Sequence, residues 1–312
     1  ESARRVGEMA AHAAAILDNV VDAIITIDEH GRIDSFNAAA TRMFGHEARD
    51  VIGRNVTVLM SDPWRGEHDA HVRRHGHTGQ RRIIGAGREV LGLRRDGREF
   101  PIHLAVSEYR RDGRRMYVGL IRDVTEQRRA EAEIKSLAFF DQLTSLPNRR
   151  LLLDRVRQRV LATERRHQQG ALLLLDLDDF KTLNDSRGHE AGDQLLRELG
   201  ERLRGCVRAD DTVARLGGDE FVILLDNLGE DRDDAALHAE LVVHKLLGLF
   251  KTPFTPGGAP HHCHASIGIT LFDGVALGEG RDDPDGRLRA DVLLGQADMA
   301  MYEVKKTGRN GW

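Results

Sequence analysis

Two groups of carboxylates stand in this chain where apolar runs stop. The first is Arg215-Leu-Gly-Gly-Asp219-Glu220-Phe221, flanked by Thr212-Val213-Ala214 on one side and Val222-Ile223-Leu224-Leu225 on the other. Two β-runs joined by Gly217-Gly218 predict a hairpin, because a tight turn needs positive φ and glycine adopts it without steric cost. Asp219 and Glu220 then sit at the tip, where a cation could bind. The second group is Asp176, Asp178 and Asp179, which end the run Ala171-Leu-Leu-Leu-Leu and precede Phe180-Lys181. A short continuous apolar run of this kind suits a strand buried on both faces. Its last residues are expected at the sheet edge, where loops build sites. If the hairpin strand pairs beside it, Asp176 meets Asp219 and Glu220. Carboxylates that close repel one another unless protonated or bridged by a divalent cation. Oxygen-only ligation favours Mg²⁺ or Mn²⁺ over zinc.

The elements that must position these groups belong to a chain of 312 residues, longer than one typical domain, whose 40% hydrophobic content is ample for two cores. A net charge of −4 carries no polyelectrolyte signal for nucleic acid. No apolar run approaches the roughly 20 residues that span a bilayer, so no membrane partner is expected. Glu1 opens the chain without a signal peptide or an initiator Met, so it is expected to be an artificial boundary. Cys206 and Cys263 alone do not make a disulfide scaffold and point to a reducing cytoplasm. The charged stretch Gly229 to Asp234 and the Gly/Asp-rich stretch Gly278 to Gly286 read as surface connections.

The C-terminal part, 138–312, carries further motifs in order. They are Asp141-Gln-Leu-Thr-Ser-Leu-Pro-Asn-Arg149, Asn184-Asp185, Gly188-His189-Glu-Ala-Gly-Asp193, Ser266-Ile-Gly-Ile-Thr270, Ala297-Asp-Met-Ala-Met-Tyr302 and Lys305-Lys-Thr-Gly-Arg309-Asn310. Together with Asp176 to Lys181 and Gly217-Gly-Asp-Glu-Phe221, they resemble a GGDEF domain, the catalytic unit of diguanylate cyclases. The resemblance implies an α+β fold with a mostly antiparallel sheet, related to nucleotidyl-cyclase and polymerase palm domains. It implies condensation of two GTP molecules into cyclic di-GMP by in-line phosphoryl transfer. Carried over by position, Asp176, the Leu177 carbonyl, Asp219 and Glu220 hold Mg²⁺ or Mn²⁺, and Asp219 with Glu220 is catalytic. Phe180, Lys181, Asn184, His189, Asp193, Lys305 and Arg309 contact GTP, with Asn184 and Asp193 reading guanine. Helix-start amides near Phe180 and Lys181 suit phosphate oxygens. Lys305 and Arg309, four apart, share a helical face if the helix persists that far. Arg208 and Asp211 form an RxxD pair that in this family marks an inhibitory site for the product.

The N-terminal part, 1–125, reads as a separate domain with a flanking helix. Ile24 to Asp28 and Ile33 to Phe36 are expected strands around a turn at Glu29 to Arg32, and Asn37 caps a helix through Phe44-Gly45. Later strands are expected over Glu89 to Leu93, Phe100 to Tyr109 and Met116 to Asp123, with turns at Asp96-Gly97 and Asp112-Gly113. This order is similar to a PAS sensor domain, a fold that does not by itself name a ligand. The helix bearing His68, His71 and His75, followed by Ile83-Ile84-Gly85-Ala-Gly87-Arg88, resembles oxygen-sensing haem PAS domains. Spacing alone does not choose among the three histidines. The resemblance implies haem b with His68 as axial ligand, Arg88 as distal donor to bound O₂, and Ile83, Leu104 and Val106 as an apolar wall, with His103 pointing away.

Residues 126–137 are charged and helix-prone and predict a helical linker, with Ile134, Leu137 and Ala138 as a short apolar stripe. Each catalytic domain of this kind holds one GTP, so a homodimer is expected, with O₂ at the haem changing how often two domains meet. The alternative is a GTP-binding regulatory domain of a longer chain that ends in an EAL phosphodiesterase.

Overall fold

A computed structural model describes residues 20–66, 68, 87–273 and 287–312. The chain forms two compact units, Glu1–Ala132 and Glu133–Trp312. No helix among the described residues is long and apolar enough to cross a membrane.

The N-terminal unit is a five-stranded antiparallel sheet. Its strands are β1 (Ala23–Asp28), β2 (Ile33–Phe36), β3 (Arg88–Leu93), β4 (Glu99–Arg111) and β5 (Arg114–Asp123), in the order β2-β1-β5-β4-β3. Gly31 (φ 76), Gly97 (φ 84) and Gly113 (φ 79) supply the positive φ at the three expected turns. Asn37 starts helix α1 (Ala38–Phe44) by accepting the Ala40 amide at 2.9 Å, and Gly45 ends it in left-handed backbone. Ile25, Ile33, Phe44, Val51, Phe100, Ile102 and Ile121 fill the core, and Phe44 meets Phe100 edge-on at 5.5 Å. The short helix α2 (Ala48–Val51) supplies Val51.

Helix α3 (Thr125–Phe139) buries none of its residues, and Ile134 and Leu137 are 65% and 56% exposed. Its end is stapled by Asn148, whose amide donates to Phe139 O at 2.9 Å and whose Nδ2 donates to Ala138 O at 3.0 Å. Asn148 also caps α4 (Arg149–Arg166) by accepting the Leu151 amide.

In the C-terminal unit, β6 (Gly170–Leu177), α5 (Phe180–Arg187), α6 (His189–Cys206), β7 (Thr212–Gly217), β8 (Glu220–Leu225), α7 (Arg232–Leu249), β9 (Ala265–Phe272) and α8 (Arg287–Lys306) follow in order. The sheet order is β7-β8-β6-β9, antiparallel throughout. All of β6 is buried, as expected of a strand covered on both faces. It is an interior strand, so its carboxylate lies at a strand end and not on a sheet edge. Side chains alternate across a strand. Leu173, Leu175 and Leu177 enter one core with α6 and α7, and Leu172 and Leu174 enter the other with α4 and α8. Asp176 shares the parity of Leu172 and Leu174, which turns it toward α8.

One expected connection is corrected. Asp231 accepts the Asp233 and Asp234 amides and starts α7 at Arg232, so the stretch from Gly229 to Asp234 is half helix. A carboxylate followed by two more acids suits a helix N-terminus, where the dipole favours negative charge. The stretch Gly278 to Gly286 lies outside the described residues.

Candidate active site

Asp176 sits one residue from the end of β6, directly opposite Glu220 of β8 and Ser266 of β9. It is 7% exposed. Lys305 on α8 places Nζ 2.6 Å from Asp176 Oδ1. Burial pushes the Asp176 carboxyl above the usual carboxylate range, and the negative Asp219 and Glu220 add to this against the pull of Lys305. Among the described residues, no three His, Cys, Asp or Glu side chains are gathered closely enough to hold a metal as they stand. The cation on Asp176 is the Lys305 ammonium. The donor chemistry itself, carboxylates with the Leu177 carbonyl beside them, suits a hard divalent ion. Asp178, next on the chain, accepts Ser266 Oγ at 2.8 Å and the Asn310 amide at 3.1 Å, tying β9 and the segment after α8 to the end of β6.

The hairpin tip is fixed by a contact the motif spacing did not reveal. The β7–β8 ladder slips between Arg215 and Gly217, and Gly217 (φ 148) and Gly218 (φ 53) carry the bend that presents Asp219. Arg215 donates from Nε and Nη2 to Gly218 O at 3.0 and 2.7 Å, and from Nη1 to Asp141 Oδ1 at 2.9 Å. Asp141 also accepts the Thr144 amide and hydroxyl at 2.9 and 2.7 Å. Burial opposes ionisation of Asp141, but Thr144 and Arg215 outweigh it and hold the carboxyl below its ordinary value. Asp141 stood out in the sequence only as part of a motif. The signal available was its pairing of type with Arg215, 74 residues away, a distance across which no helix or strand periodicity operates.

Beyond β6 the chain turns into α5. Asp179 precedes it in left-handed backbone (φ 56) with no side-chain capping bond, so the first-turn amides near Phe180 and Lys181 are not taken up by a capping side chain. Lys181 and His189 are exposed, and Phe180 and Asp193 half-buried. Asn184 lies on α5 and Asp193 in the second turn of α6, the two helices joined by Gly188 (φ 83). The Asn184 Oδ1 atom is buried without a hydrogen-bond partner.

One expectation about basic residues changes. Helix α8 ends at Lys306, and Arg309 and Asn310 follow in left-handed backbone (φ 62 and 49). Arg309 therefore does not share a helical face with Lys305; Gly308 ends the helical path between them. Arg208 is exposed, while the Asp211 carboxylate accepts the amides of Arg208 and Asp226 at 2.9 and 3.3 Å. Asp211 thus braces the turn that leads into β7 while remaining half-buried.

In the N-terminal unit, His68 is helical and half-buried, and Ile83, His71 and His75 lie outside the described residues. Arg88 pairs across the ladder with Leu104. Its guanidinium stacks 4.7 Å from the centre of the Trp64 ring, and its Nε is buried without a partner. Leu104 and Val106 are half-buried and His103 is exposed, but Ala105 between them is half-buried as well, so β4 does not alternate strictly there.

Family comparisons agree with this architecture. Residues 138–311 match the family described as "Diguanylate cyclase, GGDEF domain", and residues 11–124 match "PAS fold". The chain is 43% identical over 188 residues to a bifunctional diguanylate cyclase/cyclic di-GMP phosphodiesterase, MucR, of Pseudomonas aeruginosa, covering 60% of this chain and 25% of that protein. It is 34% identical over 226 residues to the sensor protein FixL of Bradyrhizobium diazoefficiens, covering 70% of this chain and 44% of that one. The chain thus spans less than half the length of these relatives. The crystal structure of the coiled coil and GGDEF domain of DgcB from Caulobacter crescentus, in complex with c-di-GMP, shares the fold at a TM-score of 0.51 and 22% identity, over 60% of this chain and 91% of that one. The chain belongs to the GGDEF diguanylate cyclase family and carries a PAS fold ahead of its GGDEF domain.

Proposed function

We propose that the C-terminal domain condenses two GTP molecules into cyclic di-GMP and two pyrophosphates. The observation that carries this reading is Asp176, buried at the end of β6 in register with Glu220 and beside the clamped tip that bears Asp219. In each half-reaction the 3′-hydroxyl oxygen of one nucleotide bonds to the α-phosphorus of the other. The bond from that phosphorus to the β-phosphate bridging oxygen breaks, and the hydroxyl proton passes to a nearby base, a role we assign to Asp219. A divalent cation held by Asp176, the Leu177 carbonyl, Asp219 and Glu220 would neutralise charge on the phosphates. Asn184 and Asp193 would read the guanine edge, and the amides at the start of α5, with Lys181, would receive phosphate oxygens. His189, at the start of α6, together with Lys305 and Arg309, adds donors around the nucleotide. Because each domain presents one such set, the active species is a homodimer, and the outward Ile134 and Leu137 of α3 give a parallel helical pairing its apolar contact. Cyclic di-GMP returns as an inhibitor through Arg208, with Asp211 shaping the turn that carries it.

For the N-terminal domain we propose a haem b site that responds to O₂. The orphaned Nε of Arg88, its neighbour Leu104 and the half-buried Val106 support it. His68 would hold the iron, and Arg88 would donate a hydrogen bond to the bound gas, with Ile83 completing the wall. Purified protein incubated with GTP and Mg²⁺ should form cyclic di-GMP, at rates that differ between anaerobic ferrous and O₂-saturated samples. Guanine-nucleotide binding without product would instead make the domain a regulatory GTP binder. Equal rates in the two gases would remove the sensor role.

A further inference from the structure

Gly192 of α6 packs against Asn184 and Phe180 of α5. A Cβ built there would lie 2.0 Å from Asn184 Oδ1, 3.0 Å from Asn184 Cγ and 3.1 Å from Phe180 Cζ. No side chain tolerates the first of these distances. Gly192 is helical, without positive φ, so the backbone gives no reason for glycine at this position. Glycine in a helix interior is a poor choice on propensity alone. What its bare Cα provides is a recess, and the Asn184 amide lies in it.

The Asn184 oxygen in that recess is buried and has no hydrogen-bond partner in the protein. A buried acceptor left unpaired is costly, and such atoms are rare in folded chains. The atoms that a Cβ would strike first belong to the end of a rotatable side chain and not to backbone. Asn184 would therefore turn away before the helices separated, and no hydrogen bond of its Oδ1 would be broken in doing so. The cost of filling the recess then falls on where the amide points.

We propose that Gly192 is a positioning residue for base recognition: by lacking a Cβ it seats the Asn184 amide where the nucleotide's base is read, one residue before Asp193. This rests on the GTP reading given above. It sets Gly192 apart from the glycines at the hairpin tip, whose positive φ is the requirement. Gly192 is used for its emptiness.

The test is a double-mutant cycle of Gly192→Ala and Asn184→Ala, read by equilibrium binding of 3′-deoxyguanosine triphosphate, which lacks the attacking hydroxyl, and by steady-state turnover of GTP. Gly192→Ala should melt at the wild-type temperature or slightly above it. It should weaken binding about tenfold or more, as expected when a polar reader is misplaced, and raise KM while leaving kcat at saturation nearly unchanged. In the Asn184→Ala background the same substitution should add little, because the atoms it displaces are gone. Unaltered binding by Gly192→Ala overturns the inference, as does an equal loss in both backgrounds. A Gly192→Ala protein that does not fold overturns it too, since the backbone would then have yielded before Asn184. Wild-type protein that binds no guanine nucleotide would overturn the GTP reading itself, an outcome distinct from wild-type binding that Gly192→Ala leaves untouched.

Discussion

Strands β6 and β4 place functional groups on a sheet in opposite ways. Every residue of β6 is buried, with separate cores on its two faces, so the one carboxylate within it has no route to bulk water except at the strand end. On β4, Phe100 and Ile102 are buried, Leu104 and Val106 only half so, and Ser107 and Glu108 are exposed. A doubly covered strand fixes its chemistry by ladder position: the neighbours of Asp176 are Glu220 and Ser266 because the register says so. In the proposed haem site, a strand whose burial declines along its length would fix one wall, and the other would come from elsewhere in the chain. Sites of the first kind should respond to single substitutions as chemical failures, and sites of the second kind as failures of binding.

The largest expected effect tests the first half of that contrast. Asp176→Asn and Asp219→Ala should each lower cyclic di-GMP formation about 10²–10³-fold, the range found when one preorganised electrostatic group is removed from a transition state. Melting temperature should hold or rise for Asp176→Asn, because burial disfavours the ionised carboxylate and the amide that replaces it carries no charge. Turnover within tenfold of wild type in either variant would break the idea that these two carboxylates do the chemistry of the site.

The next effects belong to the N-terminal domain. His68→Ala should abolish the Soret absorption of reconstituted protein. Arg88→Ala should keep the absorption and speed O₂ release about tenfold, the worth of one hydrogen bond to a charged partner. Trp64, which stacks on Arg88, gives a finer comparison: Trp64→Leu should produce a smaller acceleration than Arg88→Ala. A full Soret band in His68→Ala would move the axial ligand to another residue.

How far these sites could be read from sequence follows the same division. The hairpin, the buried strand and the N-terminal strands were legible because alternation and Gly-rich turns are local signals. The facing of Asp176 and Glu220 followed once those elements were placed. The Arg215–Asp141 clamp and the Asp178 ties to Ser266 and Asn310 were not legible, because they join residues far apart in the chain through single side chains. Spacing misled at Lys305 and Arg309, where i to i+4 suggests a shared face but Gly308 with a positive φ of 129 breaks the helical path. At Arg208 and Asp211 the motif was visible but not the division of labour. Asp211→Ala should cost about 1–2 kcal/mol of stability, because two amides lose their acceptor. Arg208→Ala should leave stability unchanged and raise the concentration of added cyclic di-GMP that halves the rate.

The smallest effects come from two carboxylates that bracket α3. In the N-terminal unit, Asp123 accepts the Thr125 amide at 2.8 Å, at the first residue of α3, and the Arg94 guanidinium at 2.7 Å. In the C-terminal unit, just past the helix end, Asp141 holds Thr144 and Arg215. In both, burial opposes ionisation, yet hydrogen bonds from threonine and arginine win and hold the pKa below its ordinary value. A carboxyl whose folded pKa lies below its unfolded value of about 3.9 stabilises the fold fully above that value. The contribution fades as pH falls from there through the lowered folded pKa, because the unfolded chain takes up the proton first. Asp141→Asn should therefore flatten the acid limb of the C-terminal unit's unfolding curve, and Asp123→Asn that of the N-terminal unit, each costing about 1–3 kcal/mol at neutral pH. The two should part in function. Asp141→Asn frees Arg215 and with it the Gly218 carbonyl, so turnover should fall severalfold, and Arg215→Ala in that background should add little. Asp123 bonds to Arg94 and Thr125 of its own unit, so with Asp123→Asn basal turnover should stay unchanged while protection of the α3 amides from hydrogen exchange drops. Equal losses of turnover from both substitutions would mean that helix α3 itself, and not the hairpin clamp, sets the geometry of the tip.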